Sequence, residues 1–115
     1  MGRYEREKGK RGELEWAAVC RAAGFENARR GGQAKYQRGS EVADCLGLPF
    51  IHQEVKNVER LNVRKAMEQS ARDAKDEGRG FLPMVAHKAN KKEWLVTMRG
   101  VDWLRILKAA LRKSK

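Results

Sequence analysis

The sequence predicts an α/β fold, a mixed central β-sheet flanked by helices, and three observations predict it. Stretches at the start, middle and end of the chain repeat apolar residues at helical spacing. Runs rich in apolar and β-branched residues fall between them, chiefly Phe50 to Val55, Phe81 to His87 and Trp94 to Met98. The helix between the first two runs is long enough for a crossover, whereas the short link to the third calls for antiparallel pairing. At 115 residues the chain fits a single domain, 1–115, able to bury a core without disulfides or metals.

From Met1 to Arg11 the chain is a charged lead-in, with Arg3, Arg6, Lys8, Lys10 and Arg11 outnumbering Glu5 and Glu7. A helix follows to about Ala23, closed by Gly24, with Trp16, Val19, Cys20 and Ala23 as its apolar stripe. Glu13 heads the buried side, an unusual place for a carboxylate, where it either complements the helix N-terminus or serves a site. Phe25 to Arg30 reads as a short strand leading into Gly31-Gly32. Arg29 to Gly39 then holds Arg29, Arg30, Lys35 and Arg38 with no acid, together with Tyr36. Such a cationic loop suits a phosphate backbone, with Tyr36 stacking; a solvated basic loop is the plain alternative.

Asp44 is separated from the next strand by the turn residues Gly47-Leu48-Pro49. On that strand Glu54 and Lys56 project to one face and Val55 to the other. The spacing lets two acids and one lysine meet at the rim of a sheet, the donor set of a metal-dependent nuclease; ordinary cross-strand charges are the competing explanation. His52 shares the face of Glu54 and reads as a packed or supporting histidine.

Asn62 is a fitting N-cap for a helix from about Val63 to Glu77, with Val63, Ala66, Met67, Ser70, Ala71 and Ala74 on its inner face and Gly78 and Gly80 ending it. Phe81 to His87 is apolar enough for a central strand, and Pro83 places the start of the strand proper after itself. A basic turn, Lys88 to Lys92, leads to the strand Trp94 to Met98. The last helix, from about Asp102, is apolar over much of its circumference through Trp103, Leu104, Ile106, Leu107 and Leu111, so part of it is expected to face a partner subunit.

With 26 Lys and Arg against 15 Asp and Glu, the formal charge is +11. That balance favours a polyanionic partner, most simply nucleic acid, with an acidic membrane surface or the ribosome as alternatives. No apolar run is long enough to cross a bilayer and no signal peptide is evident, so a soluble, cytoplasmic protein without a membrane partner is expected. Cys20 and Cys45 fit no zinc pattern and receive no chemical role.

Taken in order, Lys8-Gly9-Lys10-Arg11-Gly12-Glu13, the basic glycine-containing loop, Asp44, Gln53-Glu54-Val55-Lys56, Gln69 and His87 to Thr97 resemble the PD-(D/E)xK nuclease superfamily. Within it, the chain is similar to archaeal-type Holliday junction resolvases and the small phage and prophage endonucleases related to them. The resemblance implies a restriction-endonuclease-like core and Mg²⁺, with Mn²⁺ as an alternative. Asp44, Glu54 and Glu13 would hold the metal. Lys56 would position the attacking water or stabilise transition-state charge, and Gln69 would orient Lys56 or a phosphate. Arg11, Arg29, Arg30, Lys35, Tyr36, Arg38 and Lys88 would contact DNA. The implied substrate is a four-way junction or other branched DNA, the implied assembly a homodimer, and the implied host a bacterium carrying phage or prophage. One departure is Val42-Ala43 before Asp44, where the family has a bend-favouring residue; Glu41 stands nearby as an alternative ligand. The rival class is a non-catalytic nucleic-acid-binding protein, and a third is a partner-binding subunit of a larger nuclease.

Overall fold

The computed structural model describes residues 2–31 and 43–113; Lys35, Tyr36, Arg38 and Glu41 lie outside them. In chain order the described elements are α1 (Arg3–Ala22), β1 (Arg29–Arg30), β2 (Cys45–Leu46), β3 (Ile51–Asn57), α2 (Val63–Glu77), β4 (Leu82–Lys88), β5 (Leu95–Met98) and α3 (Gly100–Lys113). Among the described residues the strands form one five-stranded mixed sheet in the order β1-β2-β3-β4-β5. β3 and β4 are parallel, joined through α2, and the remaining pairs are antiparallel. The fold is therefore α/β with a mixed sheet and flanking helices. No described helix is long and apolar enough to cross a membrane.

Alternation along β3 decides the layering. Gln53, Val55 and Asn57 face α1, and His52, Glu54 and Lys56 face α2. On the α1 side, Trp16, Ala17 and Cys20 pack with Ala28, Cys45, Val55, Met84 and Ala86. The Trp16 indole N–H donates to Gln53 Oε1 at 2.9 Å, so the largest side chain of this layer is anchored as well as buried. On the other side Ala66, Ser70 and Ala74 of α2 are buried, and Ser70 Oγ donates to the Met84 carbonyl at 3.0 Å. The ends of α2 follow from local chemistry. The Asn62 side chain accepts from the Lys65 N–H at 3.0 Å, and Gly78 closes the helix at φ 75°.

Several local expectations are corrected. The charged lead-in is helical from Arg3, with Glu5 in the first turn and Glu7 four residues ahead of Arg11, both favourable placements for a helix. The buried stripe of α1 is Gly12, Trp16, Ala17 and Cys20, while Val19 stays 41 % exposed. The Trp16–Gln53 bond and the close approach of Gly12 to Asn57 set this roll of the helix. Residues 25–28 turn instead of extending, with the Ala28 N–H bonded to the Phe25 carbonyl, so only Arg29–Arg30 pairs. Asp44 sits in a bend, and β2 starts at the next residue, Cys45.

Pro83 lies inside β4, opposite His52. The Leu82 N–H donates toward β3, to the Phe50 carbonyl, so the proline nitrogen faces the β5 side, where pairing starts only at Met84. Along α3 only Asp102 is buried among the described residues, bonded to Arg99 Nε at 2.8 Å, while Trp103, Leu104, Leu107 and Leu111 are exposed.

Candidate active site

Two polar rows meet between the sheet and α2. His52, Glu54 and Lys56 share one face of β3, a step of about 6.6 Å for every two residues. Gln69, Asp73 and Glu77 lie four residues apart along α2, a step of about 6 Å. As the crossover helix, α2 runs antiparallel to β3, so the near-equal steps bring the rows into register. Lys56 Nζ lies 3.5 Å from Gln69 Oε1, at the long limit of a hydrogen bond. One ligand atom each from His52, Glu54 and Asp73 lie within 4.8 Å of one another. His52 Nδ1 is 3.0 Å from Glu77 Oε1, and His52 Nε2 is 3.3 Å from Glu54 Oε1.

Asp44 enters from the bend just before β2. Cys45 is the partner of Gln53, the last pair of that ladder, and Asp44 precedes it just outside β2. Its backbone N–H donates to the Gln53 carbonyl at 2.9 Å, and its Oδ2 accepts the Val55 N–H at 2.9 Å. Asp44 is thus buried and fixed at the level between Glu54 and Lys56. Glu13 stands on α1 and pairs with Arg30, Nε to Oε1 2.6 Å, while its carbonyl accepts the Cys45 thiol at 3.3 Å. Asp44, Glu54, Lys56 and Gln69 are therefore neighbours. Glu13, Asp44 and Glu54 do not form a three-ligand cluster; among the described residues that cluster is His52, Glu54 and Asp73.

The basic candidates divide. Arg11 and Arg29 are exposed. Arg30 is held by Glu13, and Lys88 by Glu15 at 2.8 Å, where it also lies 5.8 Å from the Trp94 ring centre.

Burial and partners sort the titratable groups. For His52, burial works against the charged ring, but hydrogen bonds and charges from Glu54 and Glu77 outweigh it and hold the pKa above its ordinary value. Burial alone lowers that of His87, whose Nε2 lies 2.9 Å from Thr97 Oγ1. Burial, and then the charges of Glu13 and Asp44, push the Cys45 thiol far up, which fits an inert thiol. The Lys88 hydrogen bond keeps Glu15 below the usual carboxylate range.

Sequence reasoning singled out neither Asp73 nor Glu77. Their signal is the four-residue spacing with Gln69, read against the two-residue spacing of His52, Glu54 and Lys56. No protein-family model, curated protein or solved structure matches this chain.

Proposed function

We propose that the chain is a metal-dependent DNA endonuclease of the PD-(D/E)xK type, hydrolysing phosphodiester bonds in Holliday junctions or other branched DNA. The observation that carries this reading is the buried Asp44, bonded to the backbone of β3 at Gln53 and Val55 on either side of Glu54, with Lys56 one step along the Glu54 face and within 3.5 Å of Gln69.

The donor set fits Mg²⁺, which takes hard oxygen ligands and commonly uses one or two carboxylates. Asp44 and Glu54 would hold it, and Mn²⁺ suits the same oxygens. When bound, the ion lowers the pKa of water and polarises the scissile phosphate. The chain's own residues do the rest. The Val55 N–H fixes how Asp44 presents its carboxylate. Lys56 offers an ammonium to the attacking water or to the charge that builds on the phosphorus oxygens, and Gln69 holds that ammonium in place. Glu13 orders Arg30, which keeps a cation on the strand next to Asp44 and Cys45 for a phosphate.

The +11 charge and exposed Arg11 and Arg29 supply sequence-independent attraction to DNA. A homodimer acting in the cytoplasm of a phage- or prophage-bearing bacterium belongs to the same reading. Burial of Glu54 and its bond to His52 favour a second one, a nucleic-acid-binding protein in which these charges are structural.

Cleavage of a labelled four-way junction and of a linear duplex, each with Mg²⁺ and with EDTA, separates the two. The nuclease reading expects paired, Mg²⁺-dependent nicks near the crossover. Tight binding without cleavage across several divalent ions supports the binding protein and refutes the nuclease.

A further inference from the structure

We propose that His52, Glu54 and Asp73 form a binding site for a divalent transition-metal ion, with Glu77 orienting the imidazole. Glu54 is shared with the proposed catalytic centre, but the ligand set needs neither Asp44 nor Lys56.

Three features point to an ion rather than to ion pairing alone. First, ligand atoms from all three residues converge within 4.8 Å. With bonds of about 2.0–2.2 Å, neighbouring ligands on a tetrahedral ion stand about 3.3–3.6 Å apart. His52 Nε2 and Glu54 Oε1, at 3.3 Å, already have that spacing.

Second, a metal-binding histidine almost always donates its other ring N–H to a carboxylate or carbonyl, which fixes the tautomer. Glu77 Oε1 lies 3.0 Å from His52 Nδ1, so a proton on Nδ1 leaves the Nε2 lone pair directed at Glu54. Third, His52 is fully buried and Glu54 nearly so. Asp73 brings a like charge close to Glu54, and a cation between the two lowers that repulsion.

The nitrogen ligand selects the class of ion. Imidazole suits Zn²⁺, Fe²⁺ or Ni²⁺ better than Mg²⁺, which prefers oxygen donors and retains its waters. A cleft lined in part by Arg29, Ile51, Glu77 and Arg79 opens beside Glu77. Metal-free, the same ring lies between Glu54 and Glu77, at 3.3 and 3.0 Å, and pairs with both carboxylates when it is protonated.

Co²⁺, whose visible absorption reports its coordination, tests the site on the full chain in excess Mg²⁺. Wild type is expected to bind one Co²⁺ per chain, displaceable by Zn²⁺. His52→Gln and Asp73→Asn are expected to weaken binding at least tenfold, and Glu77→Gln about 10–100-fold through loss of the orienting bond. Asp73 is only half-buried and Asn nearly isosteric, so Asp73→Asn decides the question if His52→Gln unfolds. A folded wild type without a Co²⁺ spectrum, or Co²⁺ binding unchanged by Asp73→Asn, overturns the proposal. Asp44→Asn separates the two centres: it is expected to abolish Mg²⁺-dependent cleavage and keep Co²⁺ affinity within about twofold, well short of the tenfold loss expected of a ligand.

Discussion

Replacing Gly12 by alanine tests how α1 is seated on the sheet and, through it, how Glu13 is placed. A Cβ at residue 12 would stand 2.7 Å from Asn57 Cβ. Ordinary carbon contacts are about 3.5–4.0 Å. The obstruction is the root of a buried side chain on β3, so the helix or the strand must shift. Overpacking of this kind costs about 1–3 kcal/mol. Alanine is also the better helix former by about 0.8–1.0 kcal/mol, which leaves a net loss of roughly 0–2 kcal/mol. Gly9, on the same helix, has nothing among the described residues within 4 Å of its would-be Cβ, so Gly9→Ala should gain about 0.8–1.0 kcal/mol. The difference between the two variants, about 1–3 kcal/mol, isolates the contact. Thermal unfolding reads it at roughly 4 °C per kcal/mol for a chain of this size. Because Glu13 follows Gly12 and holds Arg30 at 2.6 Å, the displaced helix should also loosen that pair. Gly12→Ala matching Gly9→Ala in stability would refute the reasoning.

The remaining predictions concern the core, the histidines, the thiols and the turn before β3. Trp16→Phe removes the donor to Gln53 Oε1, on a side chain whose Nε2 already has no partner among the described residues, and should cost about 1–3 kcal/mol by urea denaturation. His87, with its pKa lowered by burial, should titrate below 6.5 by NMR. The unfolded chain then binds the proton more readily, so His87 contributes nothing above pH 6.5 and its cost grows as pH falls toward the native value. His87→Asn should flatten that acid-side loss; an unchanged slope would count against it. Cys20 and Cys45, both buried with raised pKa, should resist alkylation in the native protein and react on unfolding, as mass spectrometry would record. Phe50 is 73 % exposed at φ 66°, so Phe50→Gly should relieve about 1–2 kcal/mol of backbone strain, less about 0.5–1 for glycine's entropy; calorimetry showing a loss would contradict this.

Much of the fold was legible because its signals are local. Asn62, the 3.6-residue repeat and Gly78 bound α2 with no need of tertiary information. Alternation alone put Glu54 and Lys56 on one face, and the turn residues before Phe50 allowed Asp44 to return beside them. The roll of α1 was less legible, because a hydrogen bond across 37 residues and a missing Cβ outweighed the hydrophobicity of Val19. Pro83 misled because its nitrogen faces a side of β4 that β5 has not yet reached. Asp73 and Glu77 went unremarked because, beside Arg72, Lys75 and Asp76, they look like a solvated helix face. Only the antiparallel run of α2 over β3 turns that face toward His52 and Glu54.

The most direct measurement of the central claim is Mg²⁺-dependent nicking of a four-way junction by wild type, Asp44→Asn and Glu54→Gln, with junction binding recorded for each. If Asp44 and Glu54 hold the ion, wild type nicks the junction and both variants bind it without nicking. Nicking that survives Glu54→Gln would contradict the account, because the carboxylate at its centre would then have no part in the chemistry.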